Sequence, residues 1–315
     1  MSDLAATTSI SADIVRERIS GRRTDLGGRA FEALLLLALL GSLAVLLTLL
    51  VDVFSRGIGV YLDRGVDFIV SPLSSEASDA GIGQGLVGSL LLMLIVAATA
   101  FPIGIGAAIY LEEYARDTRF TRFITANIRN LAGVPSIVYG LLGLAVFVVA
   151  LRDITGPNTQ GRSVLSGGLT LAIVVLPIVI ITTSEALRAV PSGIREAAYG
   201  VGATRWQTVR SHVIPYAAPG ILTGTILSMA RAFGETAPLI MVGGAVSFLA
   251  TSDRGVVETL QGKYTTLPTS IYLWVQEPQR DFIQLSAAGI IALLVTILLV
   301  NGLAIILRNR YARRW

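Results

Sequence analysis

Six runs of apolar residues, separated by polar segments, organise this 315-residue chain. The runs cover residues 31–54, 86–111, 131–151, 168–187, 218–241 and 286–307. Each run is long enough to cross a hydrocarbon layer about 30 Å thick as an α-helix, which takes roughly 20 residues. The pattern therefore predicts an all-α, polytopic membrane protein with six transmembrane helices.

The polar segments complete the predicted organisation. Residues 1–30 form an N-terminal tail, and residues 308–315 form a C-terminal tail. Residues 55–85 and 242–285 are rich in Gly, Ser, Pro and Asp, so we expect outer segments that contain short helices. The first apolar run begins too late and is too long for a cleaved signal peptide, which predicts a retained anchor helix. The other five runs form a core over residues 86–307.

Basic residues lie mostly on one side of the predicted bundle. The tails and the loops after the second and fourth runs carry Arg16, Arg18, Arg22, Arg23, Arg29, Arg116, Arg119, Arg122, Arg129, Arg188, Arg195, Arg205, Arg210, Arg308, Arg310, Arg313 and Arg314. Cytoplasmic loops of membrane proteins carry an excess of Lys and Arg. Both termini are therefore predicted to be cytoplasmic, which agrees with an even number of spans.

Composition supports a membrane protein and excludes several kinds of site. Hydrophobic residues make up 53% of the chain and charged residues 15%, with a mean hydropathy of +0.70, whereas soluble domains carry about 25% charged residues. The chain has no cysteine and a single histidine, His212, so we expect no metal site and little capacity for enzymatic chemistry. The net charge of +4 reflects arginines at the membrane edge, and no nucleic-acid partner is expected.

Proline and small residues inside the spans predict a bundle around a polar path. Pro135 and Pro177 each remove a backbone donor and kink a helix, a defect that lipid cannot repair but neighbouring hydroxyls or water can. The surrounding letters, VPSIVYG and LPIVIITTSEA, supply such hydroxyls. Close helix contacts are expected at small residues, here Gly140, Gly143, Gly220 and Gly224.

The polar segment between the fourth and fifth runs predicts a helical hairpin. A helix is expected to begin at Pro191 and Ser192, to continue through IREAAYGVGA, and to end or bend at Gly200 and Gly202. A second short helix, RWQTVRSHVI, is expected to run up to Pro215. Small residues on the first helix favour close approach by another protein. An amphipathic hairpin that rests on the bilayer surface is the alternative.

Two charged residues interrupt the fifth apolar run. In ARAFGETAP, Arg231 and Glu235 lie near the middle of the run, where an arginine costs roughly 2.5–3.5 kcal/mol on insertion scales. They are four residues apart and would share one helix face, so an intrahelical ion pair is one explanation. The other is that Arg231 lines an anion path, because guanidinium offers paired donors to phosphate oxygens, while Glu235 accepts a proton from the substrate.

The hairpin segment carries a recognisable motif. EAAYGVG followed by HVIP resembles the EAA loop of ABC importer permeases, and the matching residues are Glu196, Ala197, Ala198, Gly202, Ile214 and Pro215. His212 stands where that family has an apolar residue. The resemblance implies that residues 191–215 form a coupling loop, which docks into a groove on a separate ATP-binding subunit. The chain itself has no G-x-x-x-x-G-K-[ST] phosphate loop, and its single lysine is Lys263.

Longer segments show which group of ABC importer permeases the chain resembles. ARAFGETAPLI, IYLEEYA, NLAGVPSIVYGLLGLAVFV, LQGKYTTLPTSIYLWV and NGLAIILRNRYARRW together resemble the A-type permeases of bacterial high-affinity phosphate ABC importers, over roughly residues 85–315. This implies a type I ABC importer permease fold in the bacterial inner membrane. It also implies that the chain works with a second homologous permease, two copies of an ATP-binding subunit and an extracytoplasmic phosphate-binding protein.

The same resemblance implies functional roles for particular residues. Arg231, Glu235 and Thr236 are expected to line the substrate path, with Arg231 facing a counterpart on the second permease, and the resemblance assigns Glu196 to Gly202 to the coupling surface. No cofactor is expected on this chain, because ATP and Mg²⁺ are used by the partner ATPase, and the chain is not expected to be an enzyme by itself. Two alternatives are an ABC permease for sulfate, molybdate or tungstate, and an ion-coupled secondary anion carrier. The second leaves the EAA-like loop unexplained.

Overall fold

The computed structural model describes residues 26–244 and 255–311, and every regular element in these ranges is a helix. The predicted all-α class is therefore confirmed. Most of the predicted N-terminal tail, part of the second outer segment and the last four residues lie outside the described residues. The cytoplasmic location of the two termini stays a prediction.

The helices follow the predicted order, with some different boundaries. They are α1 (Leu26–Arg64), α2 (Val66–Val70), α3 (Gly83–Ile109), α4 (Arg119–Ala132), α5 (Ser136–Gly143), α6 (Arg152–Thr155), α7 (Val164–Arg188), α8 (Ser192–Gly200), α9 (Arg205–Thr208), α10 (Ile214–Gly234), α11 (Ala237–Met241), α12 (Val256–Leu260), α13 (Leu267–Gln276) and α14 (Arg280–Tyr311). Wider π-helical turns follow three of them, at Tyr110–Tyr114, Leu144–Ala150 and Val209–Val213. Five helical stretches are long and apolar enough to span a membrane, and a sixth is obtained when α4 and α5 are counted as one bent span.

The first helix is longer than the predicted 31–54 and includes the start of the predicted outer segment. The chain divides into two compact units after Asp52. In the first unit, the described part of α1 exposes apolar side chains all around, which is typical of a helix surrounded by lipid or by other subunits. The second unit contains the end of α1 and all other helices.

Three apolar clusters hold the second unit together. The central cluster joins α3, α5, α7 and the end of α10, with Leu92, Val96, Leu171 and Val175 among its members. A second cluster joins the end of α1 to α2, α13 and α14 around Phe68 and Trp274. The third joins the ends of α3 and α7 to the start of α10, around Leu187 and Val213. The third cluster lies beneath α8 and positions the predicted coupling segment.

The third span is two helices rather than one kinked helix over 131–151. α4 and the α5 segment meet at an angle of 103° across the break at residues 133–135. Pro135 has extended backbone angles (φ −55°, ψ 136°) and begins α5. A proline disfavours the helical conformation of the residue before it, so Val134 cannot continue α4. By contrast, α7 continues through Pro177 as one helix.

The fifth span also differs from its predicted range of 218–241. Helix begins at Arg205, where Thr204 and Gln207 form a capping box, and continues through the π-helical turn into α10. The prediction that a separate short helix ends at Pro215 is therefore wrong. Pro215 lies in the first turn of α10, where its missing donor is tolerated, and the wide turn before it relieves the clash with the preceding backbone.

Candidate functional site

Arg231 and Glu235 lie where α10 ends, not inside a continuous helix. α10 stops at Gly234, and Glu235 has an extended conformation with ψ of 119°. The helix stops here because Pro238 has no N–H to donate to the carbonyl of Gly234. Arg231 is in the last turn of α10, where the helix dipole favours a cation. The sequence predicted that Arg231 and Glu235 share one helix face, and this is wrong because Glu235 lies beyond the end of α10.

The two charged groups still meet. The Nε of Arg231 donates to Oε1 of Glu235 over 3.3 Å. The Arg231 side chain is 51% exposed, whereas the Glu235 side chain is 16% exposed. Within the part of the chain that the structure describes, the terminal nitrogens of Arg231 have no hydrogen-bond partner. The half-exposed guanidinium of Arg231 therefore keeps the N–H groups of its two terminal nitrogens available for another acceptor.

The surrounding backbone is fixed by the central cluster. Phe233 and Leu239 flank the helix break and are almost completely buried. Thr236, the third predicted member of the substrate path, precedes α11, and its carbonyl accepts the N–H of Ile240. A Cβ at Gly140 of α5 would lie 2.7 Å from Cα of Pro238, so α11 approaches α5 as closely as a glycine allows. The backbone that carries Arg231 and Glu235 is therefore held in place by close packing of α11 against α5.

The predicted coupling residues lie at the opposite end of α10. α8 contains Glu196, Ala197 and Ala198, and it ends just before Gly202, whose positive φ of 84° suits glycine. Pro215 lies in the first turn of α10, about 24 Å along the helix from Arg231 at 1.5 Å per residue. The structure thus places the two predicted sites at the two ends of one helix.

α8 has one buried face and one exposed face. Ala198 is buried and Ile194 packs against the third cluster, whereas Glu196 and Ala197 are exposed. The carboxylate of Glu196 has no partner among residues 26–244 and 255–311. Val201 is 86% exposed, an uncovered apolar side chain beside α8. Such a helix face with a small central residue suits insertion into a groove of another protein.

Sequence reasoning missed the contacts that hold α8 in place. Glu113 is almost completely buried and accepts from Nη2 of Arg195 on α8 over 2.6 Å. The neighbouring Glu112 binds Arg188 at the end of α7 through two hydrogen bonds of 2.8 and 2.9 Å. The only signal was the segment IYLEEYA, which carried the family resemblance without an assigned role.

A cavity of about 660 Å³ lies beside these contacts and is separate from Arg231. Four arginines line it, namely Arg116, Arg122, Arg129 and Arg188. Asp117 pairs with Arg122 through hydrogen bonds of 2.6 and 2.7 Å, and this hydrogen bonding to the guanidinium lowers the pKa of the Asp117 carboxyl below its usual range. Across the described ranges, no group of three or more His, Cys, Asp or Glu side chains could hold a metal ion.

Comparisons with known sequences identify relatives over most of the chain. The family described as "Binding-protein-dependent transport system inner membrane component" matches residues 100–313. The chain is 36% identical over 203 residues to the probable ABC transporter permease protein YqgI of Bacillus subtilis (strain 168), covering 64% of this chain and 66% of that protein. It is 33% identical over 221 residues to the phosphate transport system permease protein PstA of Pasteurella multocida (strain Pm70), covering 70% and 74%.

A solved structure shares the fold. It is a chain of a bacterial alginate ABC transporter in complex with an alginate pentasaccharide-bound periplasmic protein, similar with a TM-score of 0.63 at 16% identity. The likeness covers 96% of this chain and 98% of that chain. At this identity it shows the architecture alone, which is that of type I ABC importer permeases.

Proposed function

Because this chain belongs to the family of binding-protein-dependent transport system inner membrane components, it is a multi-pass membrane permease subunit of an ABC importer, and we propose that its cargo is inorganic phosphate. The family implies an ATPase and a substrate-binding protein as partners. We further propose that a second homologous permease completes the path and that two ATPase copies use ATP and Mg²⁺. The chain serves as the permease component and not as an enzyme by itself.

The observation that carries the phosphate proposal is the incompletely used guanidinium of Arg231. Its Nε is occupied by Glu235, while the terminal nitrogens have no partner in the described residues and the side chain is half exposed. Guanidinium presents donors in a planar fork that matches two phosphate oxygens. A half-exposed arginine also fits a path of which this chain supplies only one wall. Relatives named as phosphate permeases support the same cargo.

Glu235 gives the proposed path its selectivity. Only Oε1 of its carboxylate bonds to Arg231, so the second oxygen can accept another hydrogen bond. Phosphate near neutral pH carries a hydrogen to donate, whereas sulfate does not. A mostly buried acceptor left unpaired by the wrong ion makes a strong discriminator. This favours phosphate over the other oxyanions that ABC permeases import.

The proposed coupling surface is the exposed face of α8. Glu196 and Ala197 would enter a groove of the ATPase, while Ala198 packs inward and Gly202 allows the chain to turn away. The continuous helical stretch Arg205–Gly234 then connects the coupling segment to Arg231. Closure of the ATPase dimer would thereby move the substrate path.

Phosphate uptake by the reconstituted importer tests the proposal. Arg231→Lys keeps the charge but removes the paired donors, so we expect phosphate uptake to fall at least about tenfold, as loss of a charge-assisted hydrogen bond predicts. Arg152→Lys is the matched control, because Arg152 lies in an exposed pair with Asp153. Full uptake by Arg231→Lys, or an equal loss in the control, would contradict paired recognition of phosphate.

A further inference from the structure

We propose that the π-helical turn Tyr110–Tyr114 is the joint that makes α8 move with the membrane bundle, and that Glu113 is its central positioning residue. This inference rests on the proposed coupling role of α8. The turn follows α3 directly and presents three consecutive side chains, each to a different element. Wide π-helical turns are rare and occur frequently at functional sites.

Glu113 makes the central contact. Its side chain is 6% exposed, and Arg195 donates to Oε1 over 2.6 Å and to Oε2 over 3.4 Å. Arg195 also donates to the carbonyl of Val190 over 2.9 Å and to the carbonyl of Leu187 over 3.0 Å. One guanidinium therefore ties α8 to α3, to the end of α7 and to the loop between α7 and α8. Removing one partner of a buried pair leaves an uncompensated charge, which makes this contact hard to open.

The two neighbouring side chains of the turn extend the joint. Glu112 holds Arg188 at the end of α7 with two hydrogen bonds. The ring of Tyr114 lies 5.2 Å from Cζ of Arg205, a cation–π contact with the start of the helical stretch that carries Arg231. The turn thus contacts α7, α8 and α9 through successive residues. A displacement of α8 is passed on to α3 and to the start of α9 together.

The two faces of α8 make different contacts. The outward Glu196 has no partner in the part of the chain that the structure describes, while all three guanidinium nitrogens of the inward Arg195 donate hydrogen bonds. α8 is joined to its neighbours by short loops, and Gly202 in one of them has a positive φ. Without the hydrogen bonds of Arg195, a force applied at Glu196 would rotate α8 about these loops. With these hydrogen bonds in place, the same force moves α8 and the bundle together as a rigid body.

The charge-neutral variant Glu113→Gln tests the joint in the assembled importer. We expect the ATPase to co-purify and its basal hydrolysis to persist, while stimulation of hydrolysis by the loaded binding protein falls at least about tenfold, within the usual range of coupling free energies. Glu113→Asp, which keeps the charge on a shorter side chain, should recover part of the stimulation. Asp117→Asn is the control, since its pair with Arg122 is exposed at the same end of the bundle.

A cross-link provides a second, independent test. The chain has no cysteine, so Glu113→Cys with Arg195→Cys can be joined specifically by a short thiol-reactive linker. Linking should restore stimulation relative to the unlinked double variant. Normal stimulation in Glu113→Gln, loss of ATPase co-purification in that variant, or no recovery on linking would overturn the proposal. Failure of the phosphate-loaded binding protein to stimulate hydrolysis by the wild-type importer would contradict the proposed cargo, whereas equal stimulation of wild type and Glu113→Gln would contradict the joint, so the two failures are distinguishable.

Discussion

Two Arg–Glu pairs in this protein are built in opposite ways. Arg195 and Glu113 are joined at 2.6 Å with Glu113 buried, and Arg195 donates to two backbone carbonyls as well. Arg231 and Glu235 share one 3.3 Å hydrogen bond, and the Arg231 side chain is 51% exposed. A pair in which every guanidinium nitrogen donates a hydrogen bond holds structure together. A pair with unused donors can bind a passing anion.

The largest expected contrast is in stability. Arg195→Ala should lower the free energy of unfolding by about 3 kcal/mol, because Glu113 is left charged and buried. Arg231→Ala should cost no more than about 1 kcal/mol, because its pair is partly exposed and makes a single long hydrogen bond. Thermal unfolding of the purified importer in detergent measures both. Equal losses in the two variants would remove the distinction between a structural pair and a pair that binds substrate.

A smaller effect is expected where α5 supports the Arg231 site. Gly140→Ala places a Cβ against the backbone of Pro238, and such overpacking costs about 1–3 kcal/mol. We expect uptake to fall with stability, because α11 must shift away from the helix break. Gly106→Ala is the matched control, since nothing lies within 4 Å of its added Cβ. Wild-type uptake by Gly140→Ala would show that the site does not depend on this close contact.

The smallest effect is expected at the exposed pair of Asp117 and Arg122. Both side chains are more than 70% exposed, so water and salt screen the attraction. The pKa of Asp117 is lowered by the hydrogen bond to Arg122, so any stabilisation is present at neutral pH and is lost as the pH falls through that lowered pKa. Asp117→Asn should leave the melting temperature and uptake at pH 7 unchanged. A clear loss in either would give this pair a role that its exposure does not suggest.

The sequence predicts the bundle well because transmembrane helices are marked by long apolar runs. Arg231 and Glu235 were identifiable because charge inside such a run requires an explanation. Gly234 and Pro238 mark this region as a weak point of the helix, but they do not fix whether the helix ends before or after Glu235, and the structure ends it at Gly234. α8 was predicted from its cap and its glycines, and its start agrees with the structure.

The contact between Glu113 and Arg195 could not be predicted in the same way. The two residues are 82 positions apart, and no periodicity links a carboxylate at the end of one span to an arginine in a later loop. The contact depends on how α3 and α7 pack. Likewise, the continuation of helix through Pro215 depends on the wide turn at Val209–Val213, which local propensity does not encode.

Recognition of hydrogen phosphate by Arg231 and Glu235 is tested most directly by sulfate competition in proteoliposomes that contain wild type or Glu235→Gln. Sulfate in excess should leave phosphate uptake by wild type unchanged, because sulfate has no hydrogen to give to the Glu235 carboxylate. In Glu235→Gln, the amide can donate to sulfate, and we expect discrimination to fall by about 100-fold or more. An unchanged preference for phosphate in Glu235→Gln would contradict the proposed role of this pair in choosing the substrate.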